Sequence, residues 1–177
     1  MKSEDSQVKS GSLFSERTGN APPAQLVRLT PAVYAAILAH GEETYPDECC
    51  GALLGHFSPE GWRIEAAVRA GNARADSAHN RYQIAPDDLV KIEREARRMH
   101  LEIAGFYHSH PDHPAHWSPT DLEEAHWLGC CHVITRVVQG KATETNAFLL
   151  NGLSEEDKRF EAQTIQVDDK RIGPDRK

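Results

Sequence analysis

Apolar positions recur along this chain with two different periods, and the switches between them divide it into elements. Residues 25–29 alternate as a short strand. After Thr30-Pro31, Val33, Tyr34, Ile37 and Leu38 return at three- and four-residue intervals as the stripe of an amphipathic helix, which Gly41 and Pro46 are expected to close. A continuous apolar run then starts just after Asp47-Glu48. It reads as a strand turning through Ser58-Pro59-Glu60-Gly61 into a partner over residues 61–70. Residues 71–80 are polar and glycine-containing, which predicts a surface loop, and residues 81–84 a short strand. Pro86-Asp87-Asp88 opens a second helix with Leu89, Ile92, Ala96 and Met99 on its core face. The charged residues between them, from Lys91 to Arg98, read as a solvated face. Residues 102–110 form a further strand. Ser118-Pro119 starts a helix carrying Leu122 and Ala125 with Leu128 at its end, and strands follow at 130–138, 142–150 and 160–167. Strands and helices mix without regular alternation, so the expected class is α/β or α+β, a mixed central sheet flanked by helices.

Composition trims the range of functions. The chain has 177 residues, enough for one domain with a sizeable core. Residues 1–24 are polar and end in Ala21-Pro22-Pro23, so they read as a disordered leader; residues 25–167 form the domain, and 168–177 a charged tail. The net charge of -7, with no basic stripe interleaved with aromatics, makes nucleic acid a poor partner and favours a basic or small protein. No run of eighteen apolar residues and no apolar segment near the start is present, so neither a membrane span nor a secretory signal is expected, and cytoplasm is the expected compartment. The cysteines form two adjacent pairs, Cys49-Cys50 and Cys130-Cys131, inside apolar runs. Buried reduced thiols are expected there, because a structural zinc site needs wider spacing.

The chemistry concentrates in one window. His108 and His110 stand one residue apart at the end of an apolar strand, so their side chains point to the same face. Pro111 stops that strand, Ser118 caps the next helix, and Asp121 falls in its first turn, returning a carboxylate toward the imidazoles. Two imidazoles and a carboxylate suit zinc, one per chain, and leave its fourth position to water, which marks a catalytic site. Taken singly, each residue has an ordinary alternative: a strand histidine is usually a surface or core polar residue, and His113 and His116 read as solvated loop residues. Glu48, at the lip of an apolar strand, is the candidate base that passes a proton to the leaving amine, though alone it could be just the last polar residue before that strand. Ser118 is the candidate oxyanion donor. That duty competes with capping, and if its hydroxyl faces the metal, Thr120 or water must take up the free helix amides.

Glu48, His108-Ser109-His110-Pro111, Ser118 and Asp121 together resemble the JAMM (MPN+) metallopeptidase motif. The flanking Pro46-Asp47-Glu48-Cys49-Cys50-Gly51, the stretch Asn72 to Pro86, and His110-Pro111-Asp112-His113-Pro114-Ala115 resemble its small bacterial and archaeal branch. The resemblance covers residues 25–167. It implies the MPN domain, related to cytidine deaminases, with His108, His110 and Asp121 on zinc, Glu48 as base and Ser118 as oxyanion donor. It also implies cleavage after the C-terminal Gly-Gly of a ubiquitin-like protein, for this branch a ubiquitin-fold sulfur carrier. Residues 74–80 are short and resemble none of the ubiquitin-gripping insertions of eukaryotic relatives. A ligand-free MPN-like binding scaffold is the alternative, against which the intact motif argues, as is a JAMM peptidase with ubiquitin or an unrelated substrate. A RadC-like member reads differently between the histidines and the serine, and a nucleoside deaminase needs a Pro-Cys-x-x-Cys pair that is absent.

Overall fold

The computed structural model describes residues 26–74 and 82–168. The expected leader, Gln25, the 75–81 part of the loop and the tail beyond Asp168 lie outside the described residues. The elements are β1 (Leu26–Leu29), α1 (Pro31–Thr44), β2 (Cys50–Ser58), β3 (Gly61–Ala70), α2 (Pro86–Met99), β4 (Glu102–Pro111), α3 (Pro119–Glu124), β5 (Cys131–Val138), β6 (Lys141–Asn151) and β7 (Arg159–Val167). The sheet is mixed and closes on itself in the order β1-β3-β2-β4-β5-β6-β7. β1 lies parallel to both β3 and β7, and β4 is parallel to β5, while the other pairs are antiparallel. A parallel β4–β5 pair cannot be joined by a hairpin. The chain must cross over between them, and that crossover carries α3.

Strand alternation divides the core into layers. Leu53, Ile64, Tyr107 and Val133 pack on one face with Val33 and Ile37 of α1. Ala52, Leu54 and Phe106 face the opposite way, against Ile92 and Ala96 of α2. A third cluster, Ile134, Phe148, Leu150 and Phe160, packs against Trp117, Leu122 and Leu128 around α3. The adjacent cysteines are split by the same alternation: Cys49 and Cys131 join the α1 layer, Cys50 and Cys130 the α2 layer. All four are buried and outside any disulfide, and burial pushes the thiols of Cys49 and Cys50 up to about 11 and about 12, as inert core cysteines require.

Several expected boundaries move for physical reasons. Thr30 caps α1 through its hydroxyl, which accepts from the Val33 amide at 3.2 Å, but Gly41 does not end the helix. It is buried inside it. A Cβ at Gly41 would come within 3.0 Å of Val137 and 3.3 Å of Ser109, so glycine here lets α1 approach the sheet closely. The buried face of α1 is accordingly Val33, Ile37, His40 and Gly41, with Tyr34 and Leu38 only partly covered. The strand expected at 81–84 reduces to an isolated bridge between Asn72 and Ile84. Met99 is exposed rather than core, because α2 ends there as His100 turns left-handed. α3 stops at Glu124, before Ala125 and Leu128, where Lys158 donates to the carbonyls of Glu123 (2.9 Å) and Ala125 (2.7 Å). Asp168, expected in the tail, is tied to β1 through Leu29 O and to Arg63.

β4 has neighbours on both sides, and its geometry is tight. A Cβ at Gly105 would lie 1.7 Å from the carbonyl oxygen of Cys131 on β5, so only glycine permits this pairing. Beneath α1, His40 Nδ1 and the Tyr107 hydroxyl are hydrogen-bonded at 2.9 Å in the buried layer. Burial and then the Arg69 cation, itself paired with Glu43, hold His40 down at about 4. Since this folded pKa lies below the ordinary value of 6.5, the unfolded chain binds the proton more readily. His40 therefore lowers stability as pH falls from about 6.5 to about 4, and has no further effect below that. The loss should be on the order of 1–2 kcal/mol, solvent screening having reduced the full value. Urea unfolding of wild type and His40→Gln at pH 7 and pH 5 checks this. The variant should lose less stability across the interval, and equal losses would show that His40 carries none of it.

Candidate metal centre

β4 delivers His108 and His110 to the face turned away from α1, while Tyr107 and Ser109 point the other way. The chain leaves β4 through Asp112, which adopts a left-handed conformation (φ 57°). Its carboxylate there accepts from the Tyr45 hydroxyl (2.8 Å) and the Gln139 amide (3.1 Å), anchoring the loop at its start. Farther along, Asn146 donates to the Ala115 carbonyl at 2.9 Å. The loop ends in a capping box. Ser118 Oγ accepts from the Asp121 amide at 3.1 Å, and Asp121 Oδ2 accepts from the Ser118 amide at 2.6 Å.

This fixes three ligand atoms near one point. His108 Nε2 and His110 Nε2 are 3.0 Å apart, and Asp121 lies 3.3 Å from the first through Oδ1 and 3.4 Å from the second through Oδ2. Donors about 2.0–2.1 Å from a tetrahedral zinc are separated by roughly 3.3 Å, so the spacing fits that ion. His110 Nδ1 bonds the Pro114 carbonyl at 2.8 Å, which makes Nδ1 a donor and turns Nε2 toward the centre. Nδ1 of His108 is buried without a partner. Tyr82 stacks on the His108 ring at 4.4 Å between centroids.

The ionisable groups of the site are strongly perturbed. Burial opposes the Asp121 charge, yet hydrogen bonds from His108 and His110 hold its carboxyl well below the usual carboxylate range. Burial keeps His108 neutral, below its ordinary value. Glu48, just before β2, is only 5 % exposed, and its Oε2 is buried without a hydrogen-bond partner. Burial pushes this carboxyl up to about 8, the positive field of His110 opposes that, and the charges of Asp121 and Glu124 add to it.

The structure therefore brings His108, His110 and Asp121 together, with Glu48 in the same field and Ser118 one helical turn before Asp121. His113 and His116 are exposed and stand outside this group among the described residues. The competition expected at Ser118 dissolves. Capping uses a lone pair of the hydroxyl oxygen, so its hydrogen stays available for donation and Thr120 need not take over the cap. Sequence reasoning gave no role to Tyr82 or to His132, a buried histidine paired with Phe106 across the β4–β5 ladder. A polar residue inside the otherwise apolar run of β5 was the available signal for the second. For Tyr82 there was no periodic signal, since no regular element holds it.

Residues 30–151 match the family of prokaryotic homologs of the JAB domain. A desampylase of Haloferax volcanii is 32% identical over 103 residues, 56% of this chain and 72% of that protein. A Lys-63-specific deubiquitinase BRCC36 of Camponotus floridanus is 33% identical over 93 residues, which span 49% of this chain and 36% of that longer protein. Among solved structures, a protein of Salinibacter ruber superposes with a TM-score of 0.62 at 37% identity, covering 80% of this chain and 92% of that one. A protein of Desulfitobacterium hafniense, at 22% identity, shares the fold with a TM-score of 0.66 over 80% of this chain and 94% of its own. With the family match running from the cap of α1 to the end of β6 and so containing Glu48, His108, His110, Ser118 and Asp121, the chain belongs to the prokaryotic homologs of the JAB domain.

Proposed function

We propose that this chain is a JAMM-type zinc metallopeptidase. It hydrolyses the peptide or isopeptide bond that follows the C-terminal Gly-Gly of a ubiquitin-fold protein, a sulfur carrier in the finer reading. The observation that carries this is the set of three donor atoms at tetrahedral spacing, electrostatically coupled to the buried carboxyl of Glu48, whose Oε2 meets no hydrogen-bond partner. The similarity to proteins named desampylase and deubiquitinase supports a ubiquitin-like substrate. Among the described residues no helix is long and apolar enough to cross a membrane, and the cytoplasm is the proposed compartment.

Zinc held by His108, His110 and Asp121 would supply a Lewis acid to polarise the carbonyl and would lower the pKa of the attacking water to about 7. The residues of the chain do the rest. Glu48 takes a proton from the attacking water and returns it to the leaving amine. Positive charge at the centre favours its carboxylate form, against the burial that otherwise neutralises it. Ser118 keeps its cap bond and donates its hydroxyl hydrogen to the carbonyl oxygen as negative charge builds there. His110, held by Pro114, keeps its orientation throughout.

The purified protein should hold about one zinc per chain, as a three-ligand site requires. Metal analysis should find most of it lost in His108→Ala and Asp121→Ala and kept in His113→Ala and His116→Ala, and the opposite pattern would overturn the ligand assignment. Glu48→Gln should lower turnover at least about a hundredfold with zinc content unchanged, because the amide cannot accept the proton. Loss of zinc in that variant would make Glu48 a ligand instead. Mass spectrometry of carrier fusions should show a free Gly-Gly end after incubation with wild type and none with Glu48→Gln. Cuts elsewhere in the tail, or efficient cleavage of unfolded peptides, would replace this reading with a general peptidase.

A further inference from the structure

A cleft of about 470 Å³ is lined in part by Tyr82, the residue stacked on His108. That volume lies within the range of about 300–1,000 Å³ found for small-ligand sites. Its walls include Tyr82, Ile84, Leu89, Phe106, Trp127 and His132. Three of its residues tie it to the centre. Tyr82 is the ring stacked on His108, Phe106 precedes His108 by two on the same face of β4, and Glu124 follows Asp121 by nearly one turn of α3.

The cleft suits an uncharged occupant. His132 is 5 % exposed, wedged against Phe160 at 4.9 Å and Phe106 at 6.0 Å, and burial holds it down at about 3, so it presents a neutral ring. Its walls also carry one charged pair that is partly exposed. Arg74 and Glu124 are ion-paired at 2.5 Å, with side chains 26% and 36% exposed.

Which part of a substrate reaches this cleft follows from chain geometry. On the acyl side of a bond that follows Gly-Gly, the first two residues have no side chain. The next one is attached roughly 7 Å back along an extended tail, at about 3.3 Å per residue. On the leaving side of a peptide bond, the first residue has its Cα only about 3.8 Å from that of the last glycine, and its side chain starts one bond further. A cleft whose wall is in ring contact with a ligand imidazole is met first by that residue.

Resting on the function proposed above, we infer that this cleft is the specificity pocket for the residue released from the diglycine. Its occupant is a large apolar side chain, an aromatic ring best of all. Hydrolysis adds the water oxygen to the glycine carbonyl carbon and breaks the C–N bond. One water proton passes through Glu48 to the departing nitrogen, and nothing is oxidised or reduced. The released amino acid then carries a new amine and a carboxylate, opposite in sign to Glu124 and Arg74 of the cleft wall.

The test compares folded carriers ending in Gly-Gly-Phe, Gly-Gly-Leu and Gly-Gly-Ala, alongside a Gly-Gly-Phe set varied in the residue before the diglycine. The expected kcat/KM for Phe and Leu is at least about tenfold above Ala, the usual worth of filling a hydrophobic pocket. Leu89→Trp, which occupies the cleft, should invert the Phe-over-Ala ratio. Independently of turnover, L-phenylalanine added to the protein as purified should shift the NMR signals of the Trp127 indole and the His132 ring, and L-alanine should not. Equal rates for Phe and Ala would leave the hydrolase standing and overturn the pocket assignment, as would rates that follow the residue before the diglycine. Failure to cut any fusion would remove the hydrolase reading itself and this inference with it.

Discussion

β4 is held by backbone ladders on both sides, antiparallel to β2 and parallel to β5, and this double pairing is the constraint on which the rest depends. A strand with two neighbours cannot slip by one residue without turning every side chain to the wrong layer. Phe106, His108 and His110 are thereby committed to one face, and Tyr107 and Ser109 to the other. Gly105 enforces the register from within, since the Cys131 carbonyl occupies the space where a side chain would begin. The parallel pairing with β5 then obliges the chain to cross over, and the crossover brings Asp121 back above the two imidazoles. Register and connection, rather than any special affinity among the three residues, create the donor set.

What the fold places there is strongly perturbed by burial. Asp121 keeps its negative charge in a nearly buried position through hydrogen bonds from two histidines, and Glu48 is buried with an oxygen that meets no donor. Such groups are retained where charge will be supplied or developed, which is the pattern of perturbed groups at functional sites. The surrounding devices serve orientation. The capping box ties Asp121 to Ser118, Pro114 orients the His110 ring, and Lys158 terminates α3 after Glu124. The early stop matters. It frees Ala125 and Trp127 to line the cleft rather than continue a helix.

The opposite face of the same strand is structural. Tyr107 and Ser109 tie β4 to its neighbours through the His40 ring and the Cys49 amide, the latter donating to Ser109 Oγ at 2.8 Å. Gly41 allows α1 to settle on this layer. A single strand thus divides its labour by alternation, one face anchoring it and the other presenting His108 and His110.

The elements and the donor set were legible in the sequence because they rest on local rules: the two-residue period that aligns His108 with His110, the Ser118-Pro119 start signal, and the turn chemistry at 58–61. The helices were legible in type but not in extent. Gly41 reads as a stop in any local window, and only the closeness of α1 to Val137 and Ser109 explains it as a packing residue. Likewise the end of α3 is set by Lys158, which lies more than thirty residues away in the chain. Closure of the sheet, the splitting of the cysteine pairs between layers, the stacking of Tyr82 on His108 and the cleft lined by His132 all depend on which strands become neighbours. The sequence by itself determined which residues could bind and move protons, because that is a property of side-chain chemistry and short-range geometry. The tertiary structure decided the depth of their burial, the partner of each lone pair and the shape of the adjoining cleft, because those depend on contacts between segments far apart in the chain.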